Sequence, residues 1–106
     1  MDKYKIKISE NDVKATIKGY LDLTGWDHWH NMAGLASYPG IPDRTAIRDG
    51  IVLFIELKAP GKKQSENQIK FEEKIKRQSG HYIVVHSVEE LAEYIENITG
   101  IKETLF

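Results

Sequence analysis

The amino-acid sequence predicts an α/β domain in which a mixed central sheet is flanked by helices. Three segments carry apolar residues at helical spacing, and short runs with the character of strands lie between them. Asp49-Gly50 separates the runs "RTAIR" and "IVLFIELK", and this pair favours a two-residue hairpin turn because both positions accept positive φ. The predicted element order is (β)αβββαβα.

Composition narrows the functional classes. The chain has 106 residues, which suits one domain over residues 1–106, and no apolar stretch is long enough to cross a bilayer. The polar start "MDKYKIKISEND" lacks the hydrophobic core of a signal peptide, so the sequence predicts a soluble, cytoplasmic protein. A formal net charge of −1 argues against a partner held by bulk charge alone. Because the chain has no cysteine, any metal must be held by oxygen or imidazole.

The first half of the chain predicts a strand, a helix, a second strand and a loop. "KYKIKI" (3–8) alternates in the manner of a strand, and Ser9 is placed to cap a helix that ends at Gly25. The segment "WDHWHN" is predicted as a short strand and "MAGLASYPG" as an irregular loop. The apolar face of the predicted helix consists of Val13, Ile17, Tyr20 and Leu21.

The second half predicts two more helices around a buried strand. Ser65 and Gln68 form the pattern of a capping box, and the helix they begin is expected to stop near Gly80. "YIVVH" reads as a short buried strand, after which Ser87 and Glu90 predict another capping box. The inward residues of the two helices are expected to be Phe71 and Ile75, and then Leu91, Tyr94, Ile95 and Ile98.

The hairpin register brings two acidic residues together. If Asp49 and Gly50 form the loop, paired residues have numbers that sum to 99, so Asp43 lies directly opposite Glu56. Their Cβ atoms are then expected about 4.5–5.5 Å apart on one face of the sheet. Lys58 points to the same face, because it follows Glu56 by two residues.

Two carboxylates so close call for a compensating charge. At about 5 Å and an effective dielectric constant near 20 they repel by roughly 3 kcal/mol. Magnesium prefers hard oxygen ligands of this kind, and the peptide carbonyl of Leu57 is a further possible ligand. Lys58 would stand where an ammonium can orient the attacking water or offset charge on a phosphate. A simpler alternative is that these polar residues are solvated at the end of a strand whose buried part stops at Ile55.

Three segments resemble a known family. "GIPD", "FIELKAPGKKQSENQ" and "GHYIVVHSVEEL" look like the virus-type replication-repair nuclease domain, VRR-NUC, of the PD-(D/E)xK nuclease superfamily, over roughly residues 9 to 95. The resemblance implies a restriction-endonuclease-like core that hydrolyses DNA with magnesium or manganese. It also implies that Asp43, Glu56 and the Leu57 carbonyl bind the metal and that Lys58 serves catalysis.

Two further residues are assigned by the resemblance, and each has a local alternative. Gln68 matches the motif glutamine beside the site, but its side chain is also suited to the capping box of its own helix. Glu10 matches an acidic residue that such nucleases often carry on their first helix and would join the metal ligands. Its position in a first helical turn is equally explained by the helix dipole, and Asp12 competes for the same role.

Several basic and polar residues are candidates for DNA contacts. Lys62 and Lys63 directly follow the proposed catalytic strand, and the resemblance implies that His30 and Asn31 approach phosphates. His28 and His30 share a strand face, but two histidines do not complete a zinc site. Basic residues also lie along the exposed side of the second helix, where they are equally explained as members of helical ion pairs. These are Lys70, Lys74 and Arg77.

The resemblance implies a structure-specific endonuclease that acts on branched or four-way-junction DNA in replication, repair or recombination, in a bacterium or from a phage. Stand-alone relatives look like homodimers, and Trp29, Leu35 and Tyr38 are candidates for the interface because periodicity assigns them to no core face. Two alternatives remain open. One is a catalytically silent DNA-binding or assembly module, and the other is a metal-dependent enzyme for a small phosphorylated substrate.

Overall fold

A computed structural model describes residues 9–102, so the strand predicted over 3–8 lies outside the described residues. The described part forms one four-stranded mixed sheet with three helices, which confirms the predicted fold class. The strands lie in the order β1-β2-β3-β4, antiparallel except for the parallel pair β3 and β4. The elements are α1 (Glu10–Leu23), β1 (Asp27–His30), β2 (Arg44–Arg48), β3 (Ile51–Leu57), α2 (Glu66–Arg77), β4 (His81–Val85) and α3 (Val88–Thr99). None of these helices is long and apolar enough to span a membrane.

The first helix begins with a reciprocal cap. Ser9 accepts a hydrogen bond from the Asp12 amide through its side chain, and the Asp12 carboxylate accepts one from the Ser9 amide. The Ser9 hydroxyl also donates to the Asp12 carboxylate, and this bond, together with the one from the Ser9 amide, holds the pKa of Asp12 below its usual range. The helix stops at Thr24, just before Gly25 takes a positive φ. Its buried residues are the four predicted ones, Val13, Ile17, Tyr20 and Leu21.

The hairpin has the predicted turn and register. Asp49 and Gly50 both have positive φ, and Arg48 pairs with Ile51 as the first couple of the ladder. Alternate residues of β3 therefore face opposite sides of the sheet. One side carries Leu53, Ile55 and Leu57 into the main core with residues of α1 and α3.

The other side of the sheet carries an aromatic cluster under α2. Phe71, the buried residue of α2, makes edge-to-face contacts with Phe54 of β3 and with Tyr38 of the loop between β1 and β2. Its ring also lies 6.1 Å from that of Tyr82 on β4. Ile75, predicted to point inward, is only partly buried. Glu56 of β3 belongs to this same side, so the candidate site lies next to the aromatic cluster.

The last helix differs from the prediction in its cap. The Ser87 side chain accepts a hydrogen bond from the Glu90 amide, as expected. The Glu90 carboxylate, however, accepts from the amide of His86 at 3.0 Å, one residue before the cap, so the reciprocal half of the predicted capping box is wrong. Leu91 and Ile95 are buried as predicted, whereas Tyr94 and Ile98 are partly buried.

The loop between β1 and β2 is held against the start of α2. A Cβ atom added to Gly40 would lie 2.0 Å from the Asn67 carbonyl oxygen and 2.9 Å from the Gln68 amide nitrogen. The φ of Gly40 is +78°, a value that residues with side chains rarely adopt. Pro42, two residues later, is fully buried. Glycine at position 40 therefore permits the close approach that directs the loop toward Asp43.

Gly40→Ala is expected to destabilise the protein by more than the roughly 1–3 kcal/mol that a left-handed residue with a side chain costs, because backbone atoms must also move. Urea unfolding measures this loss. Gly61→Ala is the matched control, since Gly61 has a φ of +84° but open space around its Cβ position. Equal losses in the two variants would show that the loop does not rest tightly on α2.

Candidate active site

Asp43 and Glu56 meet where the β2–β3 ladder ends. The last paired residues of the ladder are Arg44 and Ile55, so the next residue along each strand is Asp43 before β2 and Glu56 in β3. Asp43 accepts a hydrogen bond through Oδ2 from the amide of Leu57 at 2.7 Å. This bond fastens the Asp43 carboxylate across the hairpin, to the backbone directly beside Glu56.

The Glu56 side chain is buried, with 2% of its surface exposed. Its Oε2 atom has no hydrogen-bond partner among residues 9–102. Burial, a hydrogen bond with Asp43 and the negative charge of Asp43, in that order of size, raise the pKa of Glu56 to about 9. Lys58 opposes this rise in pKa, and Glu10 adds slightly to it. Without a bound cation, Glu56 is therefore a neutral acid at pH 7 despite the charge of Lys58.

The arrangement fits a divalent cation. A buried acidic oxygen without a partner is costly unless a positive group completes its contacts, and a second carboxylate lies next to it. Asp43, Glu56 and the Leu57 carbonyl are hard oxygen ligands of the kind that magnesium takes. In the described part of the chain, no three Asp, Glu or His side chains cluster to hold a metal, so the site offers two carboxylates rather than a closed cage.

Lys58 continues β3 beyond its last strand residue. Its amide donates to the carbonyl of Val85 at 3.0 Å, which extends the pairing with β4 by one step. The side chain therefore points to the side of the sheet that carries Glu56. Within residues 9–102 the Lys58 ammonium has no carboxylate within ion-pair distance, so it is available to a bound substrate.

Gln68 and Glu10 make their contacts outside the carboxylate pair. Gln68 accepts a hydrogen bond from the Ser65 amide through Oε1 at 2.8 Å, so the capping box is formed, and its Nε2 group remains a donor. Glu10 lies 3.8 Å from the Lys14 ammonium and acts on Glu56 only through its charge. The carboxylate of Asp12, its competitor, is bound to Ser9.

Asn31 has a role that sequence reasoning missed. The sequence suggests contact with DNA phosphates, but the side-chain amide donates to the Pro42 carbonyl at 3.0 Å and to the Thr45 hydroxyl at 2.8 Å. The Asn31 backbone amide also donates to the Asp43 carbonyl at 2.8 Å. Asn31 thus clamps the backbone on both sides of the Asp43 side chain. Only the pairing of β1 with β2, which places His30 opposite Arg44, brings Asn31 to this position, and no local pattern in the sequence indicates it.

Among residues 9–102, no histidine belongs to a group of three side chains that could hold a metal. His28 lies between two charged groups, with Nε2 2.5 Å from the Asp22 carboxylate and Nδ1 accepting from Arg44 at 2.8 Å. This contact with His28 is the main reason that the pKa of Asp22 is held below its usual range. His30 is exposed at the end of β1. His28 therefore links α1 to the sheet, whereas the His30 side chain is accessible to a ligand.

The predicted basic residues differ in their surroundings. Lys62 and Lys63 are exposed in the turn after β3. Lys70 lies 3.3 Å from Glu66 in an exposed helical pair, as the simpler alternative predicts. Lys74 instead contacts the hydroxyl and the ring of Tyr38. The basic residues of α2 therefore do not form one uniform solvated face.

The fold matches that of a domain whose structure has been solved. A solved structure described as a VRR_NUC domain aligns with this chain at a TM-score of 0.69, covering 82% of this chain and 94% of that one. The sequence identity is 21%, a level at which the similarity establishes the fold. The sequence matches no protein-family model, and no curated protein matches it. The chain has the fold of a VRR_NUC domain, as its motifs suggest.

Replacing Glu56 by Gln is expected to change how stability depends on pH. A carboxyl whose pKa rises from 4.5 to about 9 on folding favours the folded state at low pH, and this contribution is lost between about pH 4.5 and 9. Glu56→Gln cannot ionise, so its melting temperature should fall less than that of the parent over this range. Thermal unfolding in a chelator from pH 5 to 9 measures the difference.

Glu93→Gln, at an exposed position of α3, is the control for loss of one acidic group. It should follow the pH dependence of the parent protein. If Glu56→Gln also follows the parent, the Glu56 side chain ionises in the folded protein as it does in water.

Proposed function

We propose that this chain is a metal-dependent endodeoxyribonuclease that hydrolyses DNA phosphodiester bonds. The observation that carries the proposal is the buried Glu56 carboxyl, which has an unpartnered oxygen and lies beside Asp43 two residues before Lys58. The match to a VRR_NUC domain supports the proposal, and in this chain the constellation lies at the end of a hairpin strand.

Asp43, Glu56 and the backbone carbonyl of Leu57 would hold Mg²⁺ or Mn²⁺. Bound there, the cation would supply Lewis acidity and neutralise charge on the phosphate. Because the pKa of Glu56 is about 9 in the free protein, its carboxylate forms at neutral pH only when a positive charge lies next to it. Glu10 would act on the pair through its charge alone, unless its side chain moves toward them.

The catalytic work of this chain's own side chains centres on Lys58. Its ammonium would orient the water that attacks phosphorus and offset the negative charge that builds on the phosphate. The oxygen of that water bonds to phosphorus, one bridging P–O bond breaks, and a proton passes to the departing oxygen. Gln68 would donate to the substrate from Nε2 while Oε1 keeps its capping bond. Asn31 acts indirectly, by holding the backbone around Asp43.

The proposed substrate is branched DNA, with four-way junctions in replication, repair or recombination as the preferred form. The resemblance to VRR-NUC domains supports this choice. The exposed ammonium groups of Lys62 and Lys63, directly after β3, and the exposed imidazole of His30 would contact backbone phosphates. With a net charge of −1, the chain must bind DNA through such local contacts.

A second candidate function is a catalytically silent DNA-binding or assembly module with the same fold. Two observations favour it. Gln68 uses its oxygen within its own helix, and no third acidic or histidine side chain joins the carboxylate pair in the part of the chain described. Such a module would bind DNA equally with and without magnesium and would not cleave it in manganese.

The decisive experiment is cleavage of four-way-junction, flap, single-stranded and duplex DNA in Mg²⁺, Mn²⁺ or a chelator. We expect cleavage with either metal and none in the chelator. Lys58→Ala should lower the rate at least about 100-fold, the usual scale for a lost catalytic charge, while DNA binding persists. Lys76→Ala is the control, because Lys76 is paired with Glu72 on α2 at 2.8 Å.

Cleavage by Lys58→Ala at the parent rate would exclude the proposed role of this lysine. Absence of cleavage by the parent with both metals, together with metal-independent DNA binding, would select the silent module. Cleavage of nucleotides but not of DNA would select an enzyme for a small phosphorylated substrate.

We also propose that the working unit is a homodimer. The side chains of Trp29, Met32 and Leu35 are exposed by half or more of their surface and lie on one stretch of chain around the β1–β2 loop. Exposed apolar residues close together are typical of an interface. Tyr38, which the sequence places in the same set, packs instead against Phe71 and Lys74. Two copies would double the phosphate contacts and present two sites to a symmetric junction.

The double variant Trp29→Ser/Leu35→Asp is expected to be a monomer, because it removes the apolar centre of the proposed interface. Sedimentation velocity at micromolar concentration distinguishes monomer from dimer. Leu23→Asp is the control, since Leu23 is an exposed leucine at the end of α1. A parent protein that is a monomer and still cuts both strands of a junction in one encounter would contradict the dimer proposal.

A further inference from the structure

A cleft of about 310 Å³ lies between the β1–β2 loop and the exposed side of α2. Its size suits a group as large as a nucleobase rather than a single ion. The lining combines aromatic, amide and cationic side chains from both elements. These are Tyr38, Pro39, Asn67, Lys70, Phe71 and Lys74.

Tyr38 provides a supported aromatic surface in this cleft. Its ring meets Phe71 edge to face, with centroids 5.6 Å apart, and Phe71 is itself packed against Phe54 and Tyr82. The Tyr38 hydroxyl contacts the Lys74 ammonium. Although the ring is held in this way, 49% of Tyr38 remains exposed. A planar ligand can therefore stack on Tyr38 without first ordering it.

The charges around Tyr38 favour an anionic ligand. The Lys74 ammonium lies 4.7 Å from the Tyr38 ring centroid and has no carboxylate partner among the described residues. Lys70 is paired with Glu66, but both side chains are more than two-thirds exposed, and such surface pairs are weak. Two ammonium groups thus flank one accessible ring. Aromatic rings for the bases combined with lysines for the phosphates are typical of single-stranded nucleic-acid sites.

The cleft adjoins the candidate active site. The loop that carries Tyr38 and Pro39 contacts the Asn67 and Gln68 backbone through Gly40. The same loop reaches Asp43 four residues after Pro39, so their Cα atoms are at most about 14 Å apart. One DNA strand can therefore occupy the cleft and the carboxylate site together.

We propose that this cleft is a stacking site for an unpaired nucleobase of the substrate strand, with Tyr38 under the base and Lys74 and Lys70 on the adjoining phosphates. The proposal rests on the proposed nuclease function and extends it, because it gives the protein a preference for DNA with unpaired bases next to the cleavage position. Branched and junction DNA exposes such bases more readily than a continuous duplex.

Binding of a fluorescein-labelled thymidine 12-mer in a chelator, followed by anisotropy, tests the proposal without cleavage. Tyr38→Ala should weaken binding about 5- to 150-fold, the range for loss of one base stack, and Tyr38→Phe should stay close to the parent. Lys74→Met should weaken binding and reduce the dependence on salt by about 0.7 in the logarithmic slope. Lys76→Met is the control, because Lys76 forms an ion pair with Glu72 four residues earlier, and it should change affinity less than twofold.

The sharper test replaces one nucleotide at a time by an abasic unit. In the parent, loss of one particular base should cost several-fold in affinity, whereas Tyr38→Ala should be insensitive to that loss. Equal abasic effects in both proteins would overturn the proposal. A Tyr38→Ala variant that binds the 12-mer like the parent but loses self-association would also overturn it, and would assign the cleft to a second copy of the chain.

Cleavage assays on the same variants separate this proposal from the nuclease function. If metal-dependent cleavage is intact but Tyr38 has no role in base binding, the stacking site is overturned and the proposed nuclease function stands. If binding depends on the base through Tyr38 but the protein never cleaves DNA, the proposed nuclease function is overturned and the stacking site stands. If Tyr38→Ala unfolds, the abasic series is measured on the parent, Tyr38→Phe and Lys74→Met instead. A parent and a Tyr38→Phe variant that show no loss of affinity at any one abasic position would then overturn the stacking site.

Discussion

The pairing register of β2 and β3 is the constraint on which the candidate site depends. A shift of one residue would turn Leu53 and Ile55 out of the core and put Glu56 into it, against the apolar residues of α1 and α3. The two-residue turn and the apolar pattern of β3 both oppose such a shift. Asp43 and Glu56 are therefore held together by the same forces that hold the sheet together.

Keeping Glu56 buried beside Asp43 is unfavourable for the protein alone. A carboxyl with 2% exposure and an unpartnered oxygen loses its hydration without full replacement by hydrogen bonds. The Glu56 side chain stays buried and is protonated at neutral pH, because its pKa is raised to about 9. A cation bound between the two carboxyls would let Glu56 ionise, because it would offset the repulsion from Asp43 and supply a contact for the unpartnered oxygen.

The β1–β2 loop has no regular secondary structure but makes several specific contacts. Asn31 at its start holds the backbone of Pro42 and Asp43, and Gly40 rests on the first turn of α2. Between these two contacts, Tyr38 stands at the edge of the aromatic cluster. A loop tied at both ends can present Tyr38 and Asp43 at a constant separation, which is what binding of a continuous strand would require.

Local chemistry in the sequence determined the elements and the centre of the site. Ser9 and Ser65 mark helix starts and Asp49-Gly50 makes the turn. Counting outward from that turn brings Asp43 and Glu56 together just beyond the last paired couple, Arg44 and Ile55. Each of these rests on contacts within a few residues or on counting outward from one turn, so no knowledge of distant packing is needed.

Tertiary structure alone decided how the separate elements meet around that centre. The pairing of β1 with β2 turned Asn31 into a clamp, and the approach of Gly40 to Asn67 formed the cleft at Tyr38. Burial of Glu56, and hence its raised pKa, depends on α2 and β4 as well as on its own strand. These contacts join residues far apart in the chain, and such pairs leave no periodic or local pattern from which their meeting can be predicted.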